Sequence, residues 1–408
     1  MHPFGGQTIP IDATNAGIQH SKNAAMKVVH VCNLPIPKEH PDYGKVPCHP
    51  GRWVLNLALA QRAHTGIEPE LLVQTPGATR DHDTVIEGIP VHFVAAPDRL
   101  RSATFFYFDT RRMAARALEL QPDLVHAHGT EDCHALAAQH TRLPNVITAQ
   151  GLIFIINAVV PPKLISRDTI VKFTEHFALR RARHVIAKSE YVAGELRRQF
   201  PHLSLHRIPN TFDPRLAEIR GEKEPRVLIF IGTLVHRKGL DLIADAIAEV
   251  QRTFPDVRLW IFCNQPDALL EYEARQKARL TALMGGRVTF HGIVPALEVA
   301  QKLARATALV APSREEMFGN QLIESLVVGT HAIVTDGTAM AENVRSFGNG
   351  TVVPQEDAAA LAAAMLGALG RNEFPERDEA RPRVFAAMGP EAVARQHETL
   401  YREIVGRS

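Results

Sequence analysis

Short apolar runs alternate with amphipathic stretches along the whole chain. In the first half the runs fall at 28–31, 71–73, 91–94, 124–126, 146–148 and 185–187. In the second half they fall at 227–231, 259–262, 288–290, 308–311, 332–335 and 351–353. Between them apolar residues return at helical spacing, as with Leu240, Ile243, Ile247, Val250 and Phe254. Runs this short and this continuously apolar suit strands covered on both faces. Strands alternating with helices predict an α/β fold of parallel, doubly wound sheets. Two such sets predict two Rossmann-like domains facing across a cleft. Residues 209–225 separate them, with Pro209, Pro214, Pro225 and a charged stretch from Gly221, which is linker composition. The predicted organisation is a loose tail over 1–25, a first domain over 26–208, a linker over 209–225, a second domain over 226–385 and a closing helical segment over 386–408.

Composition narrows the class. Of the 408 residues, 45% are hydrophobic and 22% charged, which excludes a disordered or collagen-like chain. A net charge of +2 argues against a dedicated nucleic-acid binder. Charge is uneven, however. Residues 1–208 hold 23 basic and 18 acidic side chains, a net of +5; residues 209–408 hold 23 and 26, a net of −3. The four cysteines, Cys32, Cys48, Cys133 and Cys263, form no Cys-x-x-Cys pair, so neither a disulfide framework nor a zinc ribbon is expected. Free thiols fit a reducing cytoplasm. No run reaches about 18 apolar residues, so no spanning helix is expected. The first 25 residues lack the apolar core of a secretory signal.

Ligands of open α/β sheets bind at the carboxyl ends of strands, so two facing sheets place the chemistry in the cleft between them. Residues 313–329 follow the apolar run 308–311. There Gly319 and Asn320 mark a helix start, with Asn320 as a candidate N-cap. Free backbone N–H groups at such a start accept an anion. Glu316 before the turn and Glu324 one turn inside the helix can grip vicinal hydroxyls on either side of a bound phosphate. A solvated helix start with surface glutamates is the alternative. In residues 229–246 a buried strand ends at Gly232, and Arg237, Lys238 and Gly239 precede a helix. Each charge-assisted hydrogen bond contributes about 1.5–3 kcal/mol. The helix terminus adds about 0.3–2 kcal/mol. Together they can neutralise a diphosphate without a metal. The alternative is an exposed basic turn.

Other signals compete. Asp81-His82-Asp83 is an Asp-x-Asp in a polar stretch, a metal candidate or a solvated loop. His126 and His128 alternate on a predicted strand and face one way, with Asp132 and His134 nearby, the basis for a metal-dependent hydrolase as the alternative activity. No Gly-x-Gly-x-x-Gly and no Walker sequence occurs, which argues against a nicotinamide oxidoreductase and a P-loop nucleotidase. Residues 151–162 form an apolar stretch that reads as core or as an acceptor- or lipid-contacting loop. Arg180, Arg181, Arg183, Arg197 and Arg198 read as a solvated face or as contacts to anionic lipid.

Taken in order, these motifs resemble glycosyltransferase family 4, retaining enzymes of the GT-B fold. Residues 316–324, Glu-Met-Phe-Gly-Asn-Gln-Leu-Ile-Glu, resemble the family's Glu-x7-Glu motif, and Arg237-Lys238-Gly239 its diphosphate loop. Pro209-Asn210-Thr211-Phe212-Asp213 resembles its Pro-Asn-Gly-x-Asp junction, Ala187-Lys188-Ser189-Glu190 its Ala-x-Ser-x strand end, and His126-Ala127-His128 its His-x-His strand end. The closing residues resemble helices that cross back to the amino-terminal domain. The resemblance runs from Met26 to about Ile404. It implies a sugar transferred with retention from a nucleotide-diphosphate sugar to a hydroxyl acceptor, without a metal or other cofactor. Glu324 would bind the ribose and Glu316 the donor sugar. Backbone around Phe318, Gly319 and Asn320 would hold the distal phosphate and sugar. Arg237 and Lys238 would stabilise the leaving diphosphate, and His128 would reach the sugar from the first, acceptor-side domain. The loop reaching Val294 would line the base, and Gly51 would approach the phosphates. The acceptor would be a glycan, a lipid-linked saccharide or a small molecule, with peripheral contact at the inner membrane face. Four positions depart from the family pattern: Pro50-Gly51 for Gly-Gly, Thr233 for Arg, Gln150-Gly151 for His-Gly, and Thr211 for Gly.

Overall fold

A computed structural model describes residues 25–46, 51–98, 101–159, 167–263, 271–292, 294–371 and 373–406. Most of the tail, Cys48, Pro50 and the end of the 151–162 stretch lie outside these residues. The first half runs β1 (Met26–Cys32), α1 (Trp53–His64), β2 (Ile67–Pro76), β3 (His82–Ile86), β4 (Ile89–Ala96), α2 (Tyr107–Glu119), β5 (Leu124–His128), α3 (His134–His140), β6 (Asn145–Thr148), α4 (Ile153–Val159), α5 (Arg167–Arg181), β7 (His184–Ala187), α6 (Glu190–Gln199) and β8 (Ser204–Arg207). The second half runs β9 (Val227–Ile231), α7 (Leu240–Thr253), β10 (Arg258–Phe262), α8 (Glu271–Met284), β11 (Val288–His291), α9 (Ala296–Arg305), β12 (Ala308–Ala311), α10 (Asn320–Val328), β13 (His331–Thr335), α11 (Ala339–Phe347), β14 (Gly350–Val353), α12 (Ala358–Leu369), α13 (Glu376–Met388) and α14 (Pro390–Gly406).

The strands form two sheets, of order β3-β4-β2-β1-β5-β6-β7-β8 and β11-β10-β9-β12-β13-β14. All pairings are parallel except β3 with β4. Every apolar run read from the sequence is a strand. Two strands were not expected, β3 and β8, and both lie at sheet edges. There one face meets solvent, so polar residues alternate with apolar ones. The Asp-x-Asp triplet therefore opens an edge strand rather than a loop. Its carboxylates are occupied: Asp81 accepts from the Ala95 N–H at 2.8 Å and pairs with Arg112, and Asp83 pairs with His92 and Arg116.

Three sets of contacts tie the halves together. α14 packs on α1, with Tyr401 fully buried and its hydroxyl bonded to Gln61 at 3.2 Å and to His126 at 2.6 Å. Met317, from the loop after β12, inserts its side chain into the core of the first domain. Its carbonyl accepts from Ser189 Oγ at 2.9 Å, and its Sδ accepts from the Leu152 N–H at 3.1 Å. Glu342 of α11 accepts from the N–H groups of Glu190 and Tyr191, adding a second cap to α6 beside Ser189, and pairs with Arg207 at 2.7 Å. Among the described residues no helix is long and apolar enough to cross a membrane.

Candidate active site

Between the carboxyl ends of the two sheets lies a cleft of about 680 Å³. Its second-domain wall carries Arg237, Lys238, Glu316, Phe318, Gly319, Asn320 and Glu324. Gly51 lies on the facing wall. Eight of the ten residues singled out by sequence thus meet at one place.

Local sequence explains the wall. β9 ends at Ile231, and the chain turns through Arg237 and Lys238 to Gly239. Gly239 has φ +71°, and a Cβ there would stand 2.0 Å from the Pro312 carbonyl oxygen, so only glycine lets the turn pass β12. Gly319, at φ +81°, sets the start of α10. A Cβ there would strike Met340, so the backbone is bare where an anion would approach.

Lys238 Nζ is bonded to Glu316 Oε2, which also accepts from Gln321 Nε2 at 3.2 Å. Burial opposes the Glu316 charge, but Lys238 and Arg237 outweigh it and hold the carboxyl at about 2. Arg237 stands 3.4 Å from Glu315. Glu324 differs. Among the described residues its carboxylate has no hydrogen-bond or ion-pair partner, and burial, with Asp213 nearby, pushes it up to about 7. Asn210 Nδ2 donates to Asn320 Oδ1 at 3.1 Å, joining the linker to the start of α10.

The first-domain wall holds residues that the sequence did not single out. Lys188 is buried, donates to the Gln150 carbonyl at 3.0 Å and to Gln150 Oε1 at 2.8 Å, and lies 5.7 Å over the Phe318 ring. Burial lowers it to about 8, against the pull of Glu316. Glu131, also in the cleft, is pushed up to about 7 by burial, with Asp132 and Glu175 adding to the rise. Both follow strand ends, the one signal that marked them. Their partners come from distant loops, which no short motif shows. Two of the departures acquire a structural role: Gln150 holds Lys188, and Thr211 Oγ1 donates to the Met388 carbonyl at 3.0 Å.

Two of the ten lie outside this lining. His128 does not line the main cleft. It is 5% exposed and lines a small hollow behind Trp53, Gln150, Asn210 and Thr211, which also line the cleft. The Trp53 ring lies against Gly51, where a side chain would collide with it. Val294 does not line the cleft either; it packs against the second-domain core, while Ala296 and Leu297 reach the cleft wall.

His128 belongs to a buried polar network. His128 Nε2 meets His30 Nδ1 at 2.9 Å, and His30 Nε2 meets Gln61 Oε1 at 2.9 Å. Gln61 donates to Tyr401, which meets His126 Nδ1; His126 Nε2 meets Thr148 at 2.6 Å. Since Gln61 Oε1 only accepts, the bonds run His128 Nε2–H to His30 and His30 Nε2–H to Gln61. His128 Nδ1 is left as a buried acceptor without a partner. Burial keeps all three imidazoles neutral at pH 7. Ligand atoms of His30, His126 and His128 lie within 4.8 Å of one another. Asp132 and His134 do not join them: Asp132 pairs with Arg167, and His134 bonds the His128 carbonyl. The hydrolase reading finds no support here, because hydrogen bonds to Tyr401, Thr148, His30 and Gln61 already engage these rings.

Other expectations fall as follows. In the 151–162 stretch, Leu152, Phe154 and Ile155 are buried in the first-domain core. Arg197 pairs with Glu190 and Arg198 with Glu195. Cys32, Cys133 and Cys263 are buried and unbridged.

Comparison with known proteins fits this geometry. Residues 225–371 match the family model described as Glycosyl transferases group 1, and residues 50–216 match Glycosyltransferase Family 4. The chain is similar to alpha-D-kanosaminyltransferase of Streptomyces kanamyceticus, 26% identical over 58% of this chain and 64% of that one. It is 29% identical to glycogen synthase of Mycobacterium tuberculosis, over 61% and 60% of the two chains. Similarity thus spans less than two thirds of these relatives' lengths. Among solved structures, sucrose-phosphate synthase from Thermosynechococcus elongatus superposes with a TM-score of 0.75 at 20% identity, covering 94% of this chain and all of that one. Anabaena HepE, in complex with UDP and glucose, superposes at 0.67 and 18% identity, covering 92% and 99%.

Proposed function

Because this chain belongs to the glycosyltransferases, its first half to family 4 and its second to group 1, we propose that it moves a sugar from a nucleotide-diphosphate donor to a hydroxyl acceptor within the cleft. The observation that carries the reading is convergence. Two cations, a bare helix start and a carboxylate with no partner among the described residues share one wall.

In this reading the diphosphate lies against Arg237, Lys238 and the N–H groups at the start of α10. Glu324 accepts both ribose hydroxyls. Glu316, fixed by Lys238 and Gln321, accepts from hydroxyls of the donor sugar. Glu131 and Lys188 face the acceptor side. The bond from the anomeric carbon to the phosphate oxygen breaks, and the acceptor oxygen bonds to that carbon on the same face. The acceptor proton passes to the departing phosphate oxygen, so configuration is retained. The chain's main contribution is electrostatic: fixed cations stabilise charge as it develops on the diphosphate. Those cations fill the role a metal would take. His128 sits behind the cleft wall, in a hollow it shares with Gln150 and Trp53.

Thermal stabilisation by UDP, GDP, ADP and UMP, with and without EDTA, tests this. One nucleoside diphosphate should raise Tm more than UMP does, with or without EDTA. No shift with any nucleotide overturns the reading.

A further inference from the structure

A second polar cavity, of about 440 Å³, opens between the linker and α13 and shares no lining residue with the cleft. Four cations meet there. Arg220 and Lys223 come from the linker. Arg377 and Arg381 come from α13, one helical turn apart and so on one face of it.

These cations crowd one another. The Ala217 carbonyl accepts from both Arg220 Nη1, at 2.7 Å, and Arg381 Nη2, which brings two guanidinium groups to one oxygen. Lys223 Nζ donates to the Ala306 carbonyl and to Thr330 Oγ1, each at 2.8 Å. Burial lowers Lys223 to about 7, and Arg377 adds to the fall. Burial lowers Arg381 as well, with Arg220 adding. Carboxylates answer this charge poorly. Among the described residues, the one within ion-pair reach of the four is Asp378, 3.5 Å from Arg377, and its side chain is 81% exposed. Glu222 also lines the cavity and is exposed. Arginines elsewhere on the chain pair closely with carboxylates, as Arg197 and Arg198 do. A bound anion would relieve the repulsion here through charge-assisted hydrogen bonds.

We propose that this cavity binds a phosphate monoester of a polyol, with the phosphate on the four cations and the hydroxyls on Glu222 and Asp378. The ester group is close to doubly charged near neutrality and offers its free oxygens as acceptors, which matches a wall of guanidinium and ammonium donors. The two exposed carboxylates can only accept, and hydroxyls are the groups that would donate to them. The volume is that of a small-molecule site. The proposal goes beyond the donor chemistry and does not depend on it. The place of the cavity matters too. The chain passes between the domains at the linker and again at the junction of α13 with α14, and Thr211 Oγ1 joins the two passages at the Met388 carbonyl. Each passage supplies two of the four cations. A bound phosphate would therefore tie the linker to α13.

Calorimetry of the full chain in about 0.1 M sodium chloride tests this, with glycerol 3-phosphate, inorganic phosphate and glycerol as probes. Glycerol 3-phosphate should bind, inorganic phosphate should bind about tenfold more weakly, and glycerol should not bind. Arg377→Gln should weaken glycerol 3-phosphate binding about tenfold, and Arg220→Gln/Arg377→Gln about a hundredfold. Both arginines are exposed, so these variants should keep the wild-type Tm. Glu222→Gln/Asp378→Asn should erase the preference for the ester over inorganic phosphate. Arg237→Gln, in the cleft, should bind glycerol 3-phosphate as the wild type does. No binding of glycerol 3-phosphate, equal binding of inorganic phosphate by the wild type, or binding that survives Arg220→Gln/Arg377→Gln overturns the proposal. Binding lost in Arg237→Gln and kept in Arg220→Gln/Arg377→Gln puts the anion in the cleft and also overturns it.

Discussion

Glu324→Gln offers the sharpest test of the nucleotide site. In the free protein burial, aided by Asp213, holds this carboxyl at about 7. A ribose diol donates two hydrogen bonds, which favour the ionised form, so binding should expel a proton near neutrality. At pH 6 about a tenth of the molecules carry the charge, and at pH 8 about nine tenths. Affinity for the nucleoside diphosphate should therefore rise about tenfold between pH 6 and pH 8. Glu324→Gln removes the titration and one charge-assisted pair of bonds. It should bind about 10- to 150-fold more weakly at pH 8, from about 1.5–3 kcal/mol of lost interaction, and lose this tenfold component of the pH slope. Isothermal calorimetry in buffers of different ionisation enthalpy reads both affinity and proton release. At pH 7 the wild type should release about half a proton per nucleotide more than the variant does. A variant that keeps the tenfold slope would refute the assignment and move the titration to Glu131.

Three further expectations follow from the packing. Lys238→Ala strips Glu316 of its ion-pair partner, leaving only Gln321, and should cost about 1–3 kcal/mol. The Glu316 carboxyl is held below its unfolded value, so the stability from this pair is present above the unfolded value and fades as pH falls toward 2. The Tm gap between wild type and variant should therefore be widest above about pH 5 and narrow in acid. Tyr401→Phe leaves a ring nitrogen of His126 and the Gln61 amide without a partner and should cost about 1–3 kcal/mol in urea unfolding. Glu342→Ala removes the second cap of α6 and its bond to Arg207. It should cost about 1 kcal/mol and enlarge the radius of gyration measured by small-angle scattering.

The strands were legible because their residues are buried on both faces, which leaves a continuous apolar signature. β3 and β8 were not, since at an edge half the positions face water and the signal fades into that of a loop. Arg237 and Lys238 lie on one short segment and Glu316 and Glu324 on another, each just after a strand, and the family resemblance joined the two segments in one site. Glu131 and Lys188 were not legible, because each is defined by what faces it from another loop. The position of His128 escaped for the same reason. Its ring is drawn into a network that ends on Tyr401, more than 270 residues later in the chain, and Trp53 stands between it and the cleft.

The side chain of Met317 belongs to the core of one domain, and its backbone to the loop of the other. Parting the two sheets must draw a buried thioether into water, at about 1.5–3 kcal/mol. Its neighbours in sequence, Glu316 and Phe318, would move with it, away from Lys188. The loop is therefore a latch, and on the proposed reading its release also dismantles the end of the cleft that would hold the donor sugar. A gaping molecule could retain a nucleotide on Glu324, yet it would lack the arrangement that activates the glycosidic bond. On the proposed reading, solvent would enter only when there is nothing armed for it to attack, so the same methionine that holds the domains shut would also guard the donor against wasteful hydrolysis.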